Sequence, residues 1–153
     1  MATSGAQTER RHEEPFVRQF SIFLPNRVGQ LGELLDVLDQ AELELAGISV
    51  VDSTDWAVVR MIFTECGKAR EVLTRHAIAF TECEVLAVLL EEPGSLHRLC
   101  KTLVAAELNV QFAYPLLIRR EGRPAMVLHV DDFLLGRQVL IKHGFTVLDH
   151  EDV

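Results

Sequence analysis

The amino-acid sequence predicts an α+β fold built as two tandem βαββαβ units, each with an antiparallel sheet. Two observations carry the prediction. Apolar residues pass from strand-like alternation to helical stripes in the same order twice along the chain, and the sequence matches itself when slid by 65 positions. A chain of 153 residues has room for one ordinary domain or two small ones, and two small ones bury less surface each and lean on one another.

Residues 1–15 are polar, charged and aperiodic, which reads as a mobile tail. Residues 16–24 form a strand candidate in which Phe20, Ile22 and Leu24 alternate onto one face. After Pro25-Asn26-Arg27-Val28-Gly29, the recurrence of Leu31, Leu34, Leu35, Leu38 and Ala41 marks an amphipathic helix. Residues 45–51 and 56–63 read as a hairpin around Asp52-Ser53-Thr54-Asp55. Ala69, Val72, Leu73 and His76 mark a shorter helix, and residues 85–90 a fully covered strand. The order then returns. Glu91-Glu92-Pro93-Gly94 closes the strand, Leu96, Leu99, Cys100 and Leu103 make a helix stripe, and residues 110–118 make a strand. Residues 125–130 return the chain, Gly136, Val139, Leu140 and His143 line a last helix, and residues 145–148 end the pattern as a strand.

The duplication rests on identities. Gly29, Leu31, Leu34, Leu38, Ala41, Glu42 and Leu43 fall on Gly94, Leu96, Leu99, Leu103, Ala106, Glu107 and Leu108. Leucine matches are weak, since any two amphipathic helices share them; the glycine before the helix and the Ala-Glu-Leu after it carry the inference. A shift of 67 brings His76 onto His143, so two extra residues belong in the second hairpin loop. The halves are expected at residues 16–81 and 82–153. Right-handed crossovers place both helices of each unit on one sheet face. The other face and the edges then need cover, which the sister unit supplies most cheaply. The second strand of each half is expected at an edge, consistent with Pro115 in the second copy.

Composition excludes several classes of function. A net charge of −8 makes nucleic acid and anionic membrane poor partners. No apolar run approaches the roughly 20 residues that span a bilayer. The first residues lack an apolar signal core, and three widely spaced cysteines read as free thiols in a reducing cytoplasm. There is no Gly-Lys-Ser/Thr phosphate loop, nucleophile elbow or His-Glu-x-x-His, so neither an enzyme nor a metal or cofactor site is expected. His76 and His143 read as structural cations at helix ends, Cys100 as core, Trp56 as core or interface filler, and residues 149–152 as a frayed acidic tail. Arg60 is expected to pair with Asp52 or Asp55 across the hairpin.

The segments Asn26-Arg27-Val28-Gly29-Gln30-Leu31 and Glu91-Glu92-Pro93-Gly94-Ser95-Leu96 each resemble the Asp/Asn-x-Pro-Gly-x-Leu signature that opens the first helix of ACT domains. Residues 41–48 resemble the segment that follows it, and Asp52, Trp56 and Arg60 resemble the hairpin of small stand-alone proteins with two ACT domains. The resemblance covers residue 16 to the end of the sequence and implies two ferredoxin-like βαββαβ ACT domains. It further implies a regulatory module that binds an amino acid or related metabolite where two domains meet, an expected homodimer, and a metabolic enzyme as a possible partner. Val28 departs from the family's usual proline, Glu91 from its short Asp or Asn, and Gly32 from its alanine.

The loop chemistry suits such a ligand. Residues 26–31 lead into a helix N-terminus, where unpaired backbone N–H groups and the positive dipole end attract a carboxylate. Gly29 lets the backbone approach closely, and Asn26 offers an oxygen to an ammonium. The expected ligand-binding residues are Asn26, Arg27, Val28, Gly29, Gln30 and Leu31, with Gln111, Phe112 and Tyr114 of the other half. A possible second site comprises Glu91, Pro93, Gly94, Ser95 and Leu96 with Ser49 and Asp52. The simpler alternative makes Asn26 and Gly29 a turn and helix start, and Glu91-Glu92 a solvated acidic rim. A further alternative is a protein-interaction or accessory subunit that binds nothing small.

Overall fold

The computed structural model describes residues 15–153, so the expected tail lies outside the described residues except for Pro15. The first unit runs β1 (Arg18–Pro25), α1 (Gln30–Gln40), β2 (Leu45–Asp52), β3 (Trp56–Phe63), α2 (Cys66–Arg75) and β4 (Phe80–Glu84). The second runs β5 (Leu86–Leu89), α3 (Ser95–Ala105), β6 (Val110–Pro115), β7 (Ala125–Val130) and α4 (Phe133–Lys142), followed by residues 145–148 and a 3-10 turn at His150–Asp152. The first sheet has the order β2-β3-β1-β4 and the second β5-β7-β6. Residues 145–148 extend the second sheet beside β5: Val88 bridges Val147, and the Leu148 N–H donates to Ala87 O at 2.7 Å. Both units are thus ferredoxin-like, with the second strand of each at an edge.

Local chemistry accounts for the helix limits. Gly29 and Gly94 precede α1 and α3 with φ of +89° and +87°, a left-handed conformation that glycine adopts without steric cost. The repeated Ala-Glu-Leu ends the same two helices. Glu42 and Glu107 take φ of +55° and +57°, and the Leu43 and Leu108 N–H groups reach back to Leu38 O and Leu103 O at 3.0 Å. This is a Schellman closure with glutamate in the glycine position. The identities that reveal the duplication are therefore the residues that set backbone geometry at both helix ends.

Three buried layers hold the chain together. Phe20, Ile22 and Leu24 of β1 pack with Leu34 and Leu38 of α1 and Leu73 of α2. Leu86 and Val88 of β5 pack with Leu99 and Leu103 of α3 and Leu140 of α4. Between the sheets, Val17, Ala46 and Ile62 meet Ala87, Leu89, Val127 and Leu148. Each fully buried leucine contributes about 1.5–3 kcal/mol. The sheets also touch edge to edge: Gly47 bridges Leu116, and the Leu117 N–H donates to Ala46 O at 2.8 Å.

Several sequence expectations are corrected. β4 was not foreseen, because its polar segment FTECE lacks an apolar run; the sequence reading has only the covered strand at residues 85–90 between the second and third helices. The chain instead passes from the first sheet to the second at Val85, and the expected junction at 81/82 falls inside β4. The sixth strand stops at Pro115, which has no N–H to donate, and not at residue 118. Cys100 is exposed because the buried stripe of α3 runs through Leu99 and Leu103. Trp56 is 54% exposed on the uncovered end of β3, which rules out the core half of its expected role as core or interface filler.

Candidate functional site: two loop–helix clefts

The loop between β1 and α1 is tied to the β2–β3 hairpin. Asn26 donates through Nδ2 to Asp52 Oδ1 at 2.8 Å and to Ser53 O at 3.2 Å, while its backbone N–H donates to Asp55 O at 3.2 Å. Gly29 then starts α1 with no side-chain cap; the Gln30 N–H turns back to Arg27 O at 3.3 Å and the Glu33 N–H to Gly29 O at 2.9 Å, which leaves the Leu31 and Gly32 N–H groups of the first turn open. A cleft of about 160 Å³ lies here, lined by Leu24, Asn26, Gln30, Leu31, Val50 and Asp52 among others. Arg27 also borders it, whereas Val28 projects wholly into solvent.

The second copy builds the corresponding cleft with different walls. α3 likewise starts at an uncapped left-handed Gly94. The cleft, about 410 Å³, runs along Glu91, Pro93, Gly94, Ser95 and Leu96 and is closed opposite by Gly122, Arg123 and Pro124. Ser95 is 2% exposed, and its hydroxyl accepts the Glu92 N–H at 3.1 Å, which locks the turn. Glu91 Oε1 accepts from Thr146 Oγ1 at 3.2 Å and lies 3.9 Å from Arg123 Nη1. That ion pair is exposed and adds little stability, but it sets charges of both signs at the cleft mouth. The sequence places a longer hairpin loop here but does not mark Gly122 and Arg123 as a wall of the cleft.

The remaining candidate residues lie elsewhere. Asp52, grouped by sequence with the second loop, joins the first, because the hairpin it closes belongs to the first sheet. Gln111 is exposed on β6, and Tyr114 is buried with its hydroxyl 2.7 Å from Gln19 Oε1. Seven residues of extended chain, about 23 Å, separate Gln19 from Asn26. Within one chain, then, Gln111, Phe112 and Tyr114 do not meet the Asn26 loop. Phe112 is stacked on His129, with ring centroids 4.9 Å apart, and the Arg60 guanidinium lies 3.8 Å from the Phe112 centroid. Arg60 thus makes a cation–π contact, and not the hairpin ion pair expected, because it projects from the helix-free face toward the second sheet. Ser49 sits beside it in register. Burial, reinforced by the Arg60 charge, lowers the pKa of His129 and favours its neutral ring.

His76 and His143 close their helices through Nδ1, donating to Val72 O at 2.9 Å and Val139 O at 2.8 Å. Residues 149–152 are held, in contrast to the frayed tail expected. The His150 N–H donates to Pro15 O at 3.1 Å, Asp149 pairs with Arg137 at 3.0 Å, and Asp152 pairs with Arg120 at 2.9 Å. His150 Nε2 also reaches Cys66 Sγ at 3.4 Å; burial and nearby Glu82 push that thiol up to about 12, which leaves it protonated. Among the described residues, no set of three or more His, Cys, Asp or Glu side chains is arranged to hold a metal, and no helix is long and apolar enough to cross a membrane.

Comparison with known proteins places this architecture. The chain is similar in structure to protein BT0572 from Bacteroides thetaiotaomicron, with a TM-score of 0.81 at 22% identity over 91% of this chain and 96% of that one. It is similar in fold to the regulatory subunit of aspartate kinase from Thermus thermophilus, with a TM-score of 0.56 at 10% identity over 84% and 91% of the two chains. Aspartokinase alpha and beta subunits give a TM-score of 0.53 at 17% identity over 82% and 90%. No curated protein matches the chain at a significant level. The family model described as an ACT domain pair matches residues 16–153, and the chain therefore belongs to the ACT domain family as a tandem pair.

Proposed function

We propose that this protein is a non-catalytic regulator that senses an amino acid or a closely related metabolite at a loop–helix cleft, the one at Gly94 being the roomier. The observation that carries the reading is the matched pair of left-handed glycines, Gly29 and Gly94, each starting an uncapped helix beside a carboxylate, Asp52 or Glu91. An α-amino acid carries a carboxylate for the N–H groups at the helix start and an ammonium for the acidic side chain. The second cleft, at about 410 Å³, lies within the usual range of roughly 300–1,000 Å³ for ligand pockets; the first, at about 160 Å³, suits only the smallest ligands. Similarity in fold to a regulatory subunit of aspartate kinase supports regulation in place of catalysis. The mechanism is linkage: a ligand that prefers one arrangement of the domains shifts the population toward it, and a partner enzyme reads the shift.

Thermal unfolding against the twenty amino acids tests this. A ligand at 100 times its Kd adds about 2.7 kcal/mol, a shift of several degrees at roughly 2–4 °C per kcal/mol. The shift is expected to survive in Gly29→Val and to disappear in Gly94→Val, each measured against its own ligand-free midpoint. A flat panel would favour the accessory-subunit reading, in which the domains pair with an enzyme and bind nothing small.

A further inference from the structure

The duplication supplies a comparison within one molecule. Helices α1 and α2 lie on one side of the stacked sheets, and α3 and α4 on the other. At the shift of 65, Glu33, Asp36 and Asp39 of α1 correspond to Arg98, Lys101 and Val104 of α3. At the shift of 67, Gly67, Lys68 and Thr74 of α2 correspond to Leu134, Leu135 and Ile141 of α4. The first copy holds the same fold with acids and small or polar residues at these positions, so the fold itself does not require the apolar and cationic side chains of the second. There, Val104 is 72%, Leu134 60% and Ile141 47% exposed.

Helices α3 and α4 pack side by side and run antiparallel, since Arg98 at the start of α3 donates to His143 O at the end of α4 at 3.2 Å. Val104 therefore lies at the end of the layer that carries Leu134 and Leu135. Lys101 sits opposite the buried Leu99 and Leu103 and so faces outward. Neither helix contains an acidic residue. Arg98 stacks on Phe145 and Arg137 pairs with Asp149, whereas Lys101 and Lys142 form no ion pair among the described residues. Of the acids that flank the helices, Asp131 and Asp132 turn to the N–H groups of Asn109 and Leu135, at 3.1 Å each.

We infer that the outer face of α3 and α4 is a docking surface for an acidic, amphipathic helix of a different protein. The groove between two antiparallel helices receives the apolar side of such a helix, anchored by Val104, Leu134 and Leu135. Its carboxylates meet Lys101 and Lys142. In a chain of net charge −8, this local reversal of sign orients a partner that the rest of the surface repels. A second copy does not fit. Its acidic helix α1 lies on the opposite side of the molecule from α3 and α4, so each such contact leaves one free face of either kind and continues into an open filament. An anionic bilayer is attracted by the same cations but repelled by the acidic remainder of the chain. The docking surface stands whether or not a cleft binds an amino acid.

The test uses the full chain and a fluorescent synthetic helix of about 18 residues, or five turns, with leucine on one face and glutamate on the other. A counterpart carries lysine in place of each glutamate. By fluorescence anisotropy the glutamate helix is expected to bind and the lysine helix not to, with a Kd that rises as salt is added. Lys101→Glu and Leu134→Glu are each expected to raise that Kd at least about tenfold while circular dichroism stays unchanged. Asp36→Ala, on the opposite helical layer, is expected to leave it unaltered. Failure of the glutamate helix to bind overturns the inference, and so does equal binding of both helices. Binding indifferent to Lys101→Glu and Leu134→Glu places the contact elsewhere and overturns it too. Co-sedimentation with phosphatidylserine vesicles would assign the face to a membrane, and light scattering from filaments abolished by Lys101→Glu would assign it to a second copy; either result overturns it. No amino-acid ligand enters these assays, so this inference and the sensing function fail independently.

Discussion

The Tyr114 hydroxyl donates a 2.7 Å hydrogen bond to Gln19 Oε1, joining β6 of the second sheet to β1 of the first in the layer between them. Gln19 is fully buried and Tyr114 5% exposed, and the Gln19 amide is engaged by Ser21 Oγ at 3.1 Å. Tyr114→Phe removes the donor and strands a carbonyl oxygen. It is expected to cost about 1–3 kcal/mol, read as a lower urea midpoint with an unchanged far-UV spectrum. An unchanged midpoint would mean that the two sheets do not depend on this contact.

Helices α1 to α4 each end in a left-handed residue: Glu42, Ala77, Glu107 and Gly144. Ala77 corresponds to Gly144 across the repeat and holds φ of +54° with a Cβ, a conformation that costs roughly 1–2 kcal/mol outside glycine. Ala77→Gly is therefore expected to stabilise the protein by about 1 kcal/mol, which raises Tm by roughly 2–4 °C. Differential scanning calorimetry checks it, and a lower Tm would refute the strain.

Two groups make the fold sensitive to acid in separate windows. Burial of His150 disfavours its cation more than the Thr64 carbonyl restores it, with Arg70 and Arg18 adding to the depression, so it titrates below the ordinary 6.5. The unfolded chain then takes up this proton first, and stability present above pH 6.5 is lost as pH falls. For Glu82, burial opposes ionisation, but hydrogen bonds and charges from Arg70 and Arg18 outweigh it, and the carboxyl titrates below 4.5. Its stabilisation is complete above that value and is lost as pH falls through the lowered one. Unfolding free energy measured from pH 8 to 3 is expected to fall in two limbs. His150→Asn shrinks the upper limb, to which the partly buried His129 also contributes, and Glu82→Gln removes the lower.

How much of this was legible in sequence follows from the range of each cause. Helix ends, the alternation of β1 and the repeat itself are local: Gly29, Gly94 and the two Ala-Glu-Leu segments act on backbone within a turn of their own position. The family followed from the same local pattern read twice. What escaped was set by neighbours distant in sequence. The segment FTECE becomes β4 only because β1 offers an open edge, where Arg18 pairs with Glu82 at 3.1 Å. Cys83, on that same strand, turns toward the layer between the sheets.

The candidate site divides the same way. The sequence by itself determined that two glycine-led helix starts would present open N–H groups, because φ and the absence of a capping side chain are properties of a few adjacent residues. Which walls face those starts was decided only by tertiary structure. Asp52 and Arg123 arrive on hairpins whose positions depend on sheet registers. Arg60 and Phe112 find one another only when two sheets, each needing cover for an apolar face, are stacked in one chain. Hydrophobic burial has no direction, so a sequence states that such faces must be covered while the folded chain alone selects what covers them.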